Sequence, residues 1–246
     1  PLRLVFDTGA PYTLCLDSAF VAESGLTFNR TTNARMGGAG AEQKQVKVIL
    51  GSVTLIAVNR TFTPQYTPII NLRSVLGDKA DGLFGMSGVS DKVLCIDFKH
   101  GKMITADSIS KAMVEGFEQV KIEQKSNRIL IPLMVQIDGK TTVAGKALMD
   151  MGSGQGIVLT SKMAAKHHLE KIKDKKAWEY EVGGIGGHSA GYEFQAVKAQ
   201  VGNLEIETPT IRFSTDKTGA LSGTSDVAVT TTSDDYLGLI GNKLWS

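Results

Sequence analysis

The sequence predicts a mostly β protein made of two β-barrel lobes related by a pseudo-twofold axis, with short helices and two flap hairpins over a central cleft. Three observations lead there: strand-like runs dominate, an acidic turn occurs twice, and glycine is in surplus. Short apolar or alternating runs bounded by turn residues lie at 47–58, 92–98, 130–137 and 204–213. Laying Asp7-Thr8-Gly9-Ala10 over Asp150-Met151-Gly152-Ser153 aligns residues 7–26 with 150–169 at an offset of 143, with six of twenty columns identical. Such a repeat decides the architecture before single elements are assigned. Glycine makes up 27 of 246 residues, about 11% where roughly 7% is usual.

The elements follow in matched order. In each copy a strand (residues 2–6 and 143–149) enters an acidic-x-Gly-small turn, a second strand leaves it, and a short helix follows. Asp17 and Thr160 suit the N-caps of those helices, because their side-chain oxygens can accept from the free amides of the first turn, and Gly25 suits the stop of the first. Next come the glycine clusters Met36-Gly37-Gly38-Ala39-Gly40 and Gly183-Gly184-Ile185-Gly186-Gly187, each ahead of a further strand-like run. They read as hairpin tips, since glycine takes positive φ without steric cost. A third pair ends on two apolar residues and glycine: Leu83-Phe84-Gly85 and Leu239-Ile240-Gly241. Ile109, Met113, Phe117 and Val120 recur at spacings of three and four in a polar stretch, which predicts a helical connection. The expected division is an N-terminal lobe over 1–108, a linker over 109–128 and a C-terminal lobe over 129–246. Each copy is expected to lack one strand unit at one end, as in a fragment or the ordered part of a longer protein.

Composition removes several function classes. With 27 Lys+Arg against 25 Asp+Glu, scattered, the chain has no basic footprint for nucleic acid. No apolar run approaches the roughly 18 residues of a membrane span. Two cysteines and four histidines without ligand spacing predict no metal, and no cofactor is expected. Cys15 and Cys95 lie in apolar runs and are expected to be small core residues. The lysine-rich run 171–176 reads as a solvated face, and His167 and His168 as residues suited to a helix C-terminus. Asn29-Arg30-Thr31 and Asn59-Arg60-Thr61 match the glycosylation pattern, which matters only in a eukaryotic secretory setting. A secreted or periplasmic location follows only if a leader precedes this chain.

One acidic turn carries little weight, but two in a duplicated unit do. Residues near a pseudo-twofold axis meet their counterparts, so Asp7 and Asp150 are expected to face each other. Adjacent carboxylates share one proton and titrate as a unit, in well-studied pairs near about 1.5 and 4.7. One member then deprotonates a water while the other protonates the carbonyl under attack. Gly9 and Gly152 let backbone amides approach the carboxylates, Thr8 offers a hydroxyl across the axis, and Ser153 offers one to Asp150. Tyr12 and Tyr192 suit either the cleft or interfacial packing.

The ordered set Asp7-Thr8-Gly9-Ala10, the first glycine hairpin and Leu83-Phe84-Gly85, repeated as Asp150-Met151-Gly152-Ser153, the second hairpin and Leu239-Ile240-Gly241, resembles the aspartic peptidases. The hairpins are similar to retropepsin flaps, and the single chain to the fused, two-lobed bacterial type. That resemblance implies an acid-protease-like fold and an aspartic endopeptidase, acid-optimal, with Asp7 and Asp150 as the dyad and the residues after them as a hydrogen-bonded grip. It implies a peptide or protein substrate in extended conformation and a monomer with an internal pseudo-dimer. Met151 departs from the pattern, where Thr or Ser is usual. The alternative it opens is a weak or inactive peptide-binding member of the same fold.

Overall fold

The computed structural model describes residues 1–40, 42–57, 60–172, 177–223 and 235–245. Val58, Asn59 and residues 173–176 lie outside them, and with these the end of one expected strand, one acceptor tripeptide and most of the lysine run. In chain order the first half contains β1 (Leu4–Asp7), β2 (Leu14–Asp17), α1 (Ser18–Glu23), β3 (Thr31–Met36), β4 (Lys44–Leu50), β5 (Leu55–Ala57), β6 (Arg60–Phe62), β7 (Tyr66–Ile70), α2 (Arg73–Leu76), β8 (Gly82–Gly85), β9 (Val93–Asp97) and β10 (Lys102–Ala106). The second contains α3 (Lys111–Val114), β11 (Glu123–Lys125), β12 (Arg128–Gln136), β13 (Thr142–Asp150), β14 (Ile157–Leu159), α4 (Ser161–Lys166), β15 (Trp178–Gly184), β16 (Gly187–Gln195), β17 (Lys198–Val201), β18 (Leu204–Glu207), β19 (Thr210–Ser214) and β20 (Tyr236–Gly241). The protein is therefore mostly β with short helices, as the sequence predicts. Among the described residues no helix is long and apolar enough to cross a membrane.

The strand order of the first sheet recurs in the second. A six-stranded sheet runs β1-β8-β2-β7-β4-β3, and the ten-stranded sheet contains the path β13-β20-β14-β19-β16-β15. Each step also keeps its direction: β1/β8 and β13/β20 are parallel, β2/β8 and β14/β20 antiparallel, β2/β7 and β14/β19 parallel. Beyond β13 the larger sheet continues through β12, β17 and β18, with β11 on β12. Among the described residues neither path pairs back onto its start, so both sheets are open in their hydrogen bonding. Alternate residues fill separate cores, with Leu14, Leu16, Ile49 and Phe84 in the first half and Val135, Leu159, Phe194, Ile211 and Ile240 in the second.

Local chemistry explains where expectation and structure part. The run 47–58 is two strands because Gly51 turns the chain at φ +62°. The run 204–213 breaks at Thr208, which takes φ +48° ahead of Pro209. Only Lys111–Val114 of the expected connecting helix forms. Ile109 and Phe117 stay exposed with no surface to cover them, and Gly116 leaves the helical region at φ +81°. A helix of one turn gains too little to propagate. Residues 123–125 and Arg128 belong to the strands of the ten-stranded sheet rather than to a linker.

The N-caps form as expected. Thr160 Oγ1 accepts from Met163 N, and Asp17 Oδ1 accepts from Ala19 N and Phe20 N, both at 2.9 Å. Asp17 does more, since Oδ2 accepts from Leu72 N at 2.9 Å and Arg73 N at 3.2 Å. This fully buried carboxylate ties α1 to α2. Burial alone would raise its pKa, but the four backbone amides outweigh it and hold the carboxyl below its ordinary value. Stability from Asp17 is thus present above the unfolded carboxyl's pKa, near 4, and is lost as pH falls below it. Asp17→Ala is expected to cost about 2–3 kcal/mol in urea denaturation at pH 7, combining a lost cap with two stranded amides, and less at pH 3.

Candidate active site

Each acidic turn wraps its own carboxylate in backbone amides. Asp7 Oδ1 accepts from Gly9 N at 2.8 Å and Ala10 N at 3.1 Å, and Asp150 Oδ1 accepts from Gly152 N at 3.0 Å and Ser153 N at 3.1 Å. Behind the turns the glycines of the two apolar-apolar-Gly segments press on turn backbone. A methyl group on Gly85 would sit 2.7 Å from Ala10 O, and one on Gly241 would sit 2.6 Å from Ser153 O. Met86 N and Asn242 N then donate to those same carbonyls at 3.0 and 2.9 Å. In both segments the first apolar residue, Leu83 or Leu239, faces the cleft, and the second, Phe84 or Ile240, faces the core. This is strand alternation applied at the site.

The two turns meet. A β-carbon on Gly9 would lie 2.9 Å from Asp150 Cγ, and one on Gly152 would overlap the Asp7 carboxyl group, so only glycine fits at either place. Each carboxyl group thus lies directly against the glycine of the other turn. Burial raises the pKa of Asp7, against the pull of the Gly9 and Ala10 amides. Burial, and then the charge of Asp7, push Asp150 up to about 8. Such a pair shares one proton and titrates as a unit.

Thr8 crosses between the halves beneath the pair. Its hydroxyl donates to Met149 O at 2.5 Å and accepts from Met151 N at 2.9 Å. The repeat offset maps Met149 onto Phe6 and Thr8 onto Met151, so a hydroxyl at 151 would make the reciprocal bond. Met151 is buried and has none to offer, leaving the tie one-sided. Ser153 differs from expectation, because only its backbone amide serves Asp150. Its hydroxyl accepts from Gln155 N at 3.3 Å, a local turn bond, and makes none to the carboxylate. Tyr192 also lies away from the cleft, with its ring 5.5 Å from that of Phe213, whereas Tyr12 lines it.

The glycine-rich hairpins close over the pair. Gly186 N donates to Ala39 O at 2.8 Å and Glu42 N to Gly186 O at 2.9 Å, locking the two tips together. Gly40, at φ +96°, backs directly onto the Gly186–Gly187 peptide, where a β-carbon would collide. Packing is exchanged across the cleft: Ile185 of the second tip rests on the cluster containing Met36, and Ala39 of the first rests on the cluster of Leu148 and Leu221. Gly37, Gly38, Gly183 and Gly184 complete the roof. The cavity beneath them is about 370 Å³ and mainly apolar.

Several residues of this cleft carry no motif in the sequence. Arg128 and Tyr236 stand in its wall, and Leu221 enters from the β19–β20 connection, where Ala220 N donates to Gly38 O at 3.2 Å. Tyr236 directly precedes an apolar-apolar-Gly segment and was reachable by extending that motif, whereas nothing near Arg128 or Leu221 signals the cleft. Among the described residues no group of three or more His, Cys, Asp or Glu is placed to hold a metal. The chain matches no family model, and no curated protein is significantly similar to it.

Proposed function

We propose that the protein is an aspartic endopeptidase of retropepsin-like, two-lobed type, its halves related by a pseudo-twofold axis through the Asp7–Asp150 pair. The observation that carries the reading is the pair itself: two partly buried carboxyls on matched turns, each against the other's glycine, beneath two glycine-rich hairpin tips bonded to each other. The recurrence of one strand order in both halves supports the fold assignment. An extended peptide would lie along the cleft beneath the hairpins.

In this reaction Asp7 is the base and Asp150 the acid. A water between the carboxyls gives a proton to Asp7 as its oxygen bonds to the amide carbon, while Asp150 protonates the carbonyl oxygen. The C–N bond then breaks as the nitrogen takes the proton from Asp7, and the hydroxyl proton returns to Asp150. Closure of the roof excludes bulk water and strengthens each charge interaction. The test is cleavage of an unfolded protein, blocked by a statine-type mimic and lost in Asp7→Asn and in Asp150→Asn.

A second reading, a peptide-binding protein without turnover, is favoured by the one-sided tie at Met151. Met151→Thr restores the missing donor toward Phe6 O and is expected to raise kcat up to about tenfold, the worth of one added hydrogen bond. Turnover appearing only in the variant would support the binding reading.

A further inference from the structure

Among the described residues lining the cleft, Arg128 is the one cation. Its surroundings are unusual for this chain. Arg3, Arg60, Arg73 and Arg212 each have a carboxylate partner, at 2.9, 3.2, 2.7 and 2.6 Å, and Arg30 and Arg35 are exposed. Arg128 is neither: it is half-buried, and no described carboxylate lies within ion-pair distance. Nε donates to Gly9 O at 3.0 Å, which anchors the guanidinium beside the acidic turn. The two Nη groups make no hydrogen bond to a described residue.

A guanidinium withdrawn from water without a close anion is costly, and the structure shows what is left over: four N–H donors in a planar fork, facing an apolar cavity. That fork matches a carboxylate in two parallel bonds. The aspartate pair does not fill this role, since neither carboxyl makes a hydrogen bond or ion pair with Arg128 and both act on it only at longer range. The placement is also one-sided. Arg128 opens β12, and among the described residues lining the cleft no second cation balances it, so only one side of the cleft carries the charge. Walls repeated about an axis present similar surfaces to a peptide running either way, and a single fixed cation breaks that equivalence.

We infer that Arg128 is a specificity residue that binds a carboxylate of the peptide next to the scissile bond and so sets the direction in which the chain lies. The inference rests on the peptidase reading for the word scissile, but the recognition itself is a binding property. The carboxylate has two possible sources, an acidic side chain or a free C-terminus, and both belong in the test.

The experiment uses peptide pairs that differ only as Glu against Gln at one position flanking the cleavage point, each made as C-terminal acid and as amide. With the wild-type protein the carboxylate-bearing member is expected to have kcat/KM at least about tenfold higher, since charge-assisted hydrogen bonds are worth about 1.5–3 kcal/mol. The Glu/Gln or acid/amide arm that shows the ratio names the source. Arg128→Gln should collapse the ratio to one, and Arg128→Lys should retain part of it. Non-hydrolysable versions of the same peptides, with a reduced bond, are titrated against Asp150→Asn protein by calorimetry. Discrimination in binding without cleavage by wild type would sustain the role of Arg128 and sink the peptidase reading. Cleavage with equal rates for all pairs, or a ratio that survives in Arg128→Gln, would overturn the role of Arg128 alone.

Discussion

Asp7→Asn and Asp150→Asn are each expected to reduce kcat by at least about 10³-fold, and the double variant should be scarcely worse than either single one. General acid and base catalysis contributes about 10²–10⁴-fold, and here both arise from a single proton-sharing unit, so its losses are not additive. The structure also moves the expected pH profile away from a strongly acid optimum. In the proposed mechanism the pair works with one proton. Activity should rise as the pair loses its first proton, above the ordinary carboxyl value because burial raises both groups, and fall as it loses the second. A bell centred between mildly acidic and neutral pH in kcat/KM is the expected shape. An optimum below about pH 3 would mean that the carboxyls are far better solvated than the closed roof allows. The variants are a fair test because Asn is close to Asp in size and can still accept from the turn amides, so a loss of activity with unchanged folding points to the proton and not to the turn.

Much of this site was legible because its requirements are local. An acidic residue two positions before a glycine encodes a turn whose amides return to its own carboxylate, and Asp7 and Asp150 do this with nearly the same distances. Glycine at 85 and 241 is demanded by the same turn backbone from behind. The caps at Asp17 and Thr160 were legible for the same reason. What could not be read depends on contacts made across the chain. Arg128 reaches Gly9 from 119 residues away, and Asp17 ties Leu72 and Arg73 to α1 through its second oxygen. The connecting helix failed because apolar spacing alone does not supply a surface: Ile109 and Phe117 have the period but nothing to bury against. Ser153 shows the converse, a residue of suitable chemistry at the expected place whose hydroxyl bonds within its own turn.

Asp150→Asn should also make the protein more stable at neutral pH, and by an amount that depends on pH in a defined sense. In the folded protein Asp150 keeps its proton up to about 8, whereas the unfolded carboxyl releases it near about 4. Between those values the folded state binds more protons than the unfolded one, so stability falls as pH rises. The carboxyl therefore contributes its full share below pH 4 and loses it progressively by pH 8. Asn has no proton to retain and offers an N–H to Asp7 in place of the acid O–H. The expected gain at pH 7 is on the order of 2–4 kcal/mol, below the roughly 1.4 kcal/mol per pH unit that full retention would give over the whole interval. For a chain of this length that is a rise in Tm of several degrees. At pH 4 the difference should vanish, which separates it from Asp17, whose contribution changes sign of slope and acts at lower pH. Thermal scans of both proteins from pH 4 to 8 give the answer directly, and parallel curves would show that Asp150 is ionised in the folded state. A fold that keeps an acid protonated through the neutral range gives up stability for it, and the Gly152 and Ser153 amides offset only part of that cost. Strongly shifted pKa values of this kind cluster at functional sites, which is a physical reason to look for turnover at this one.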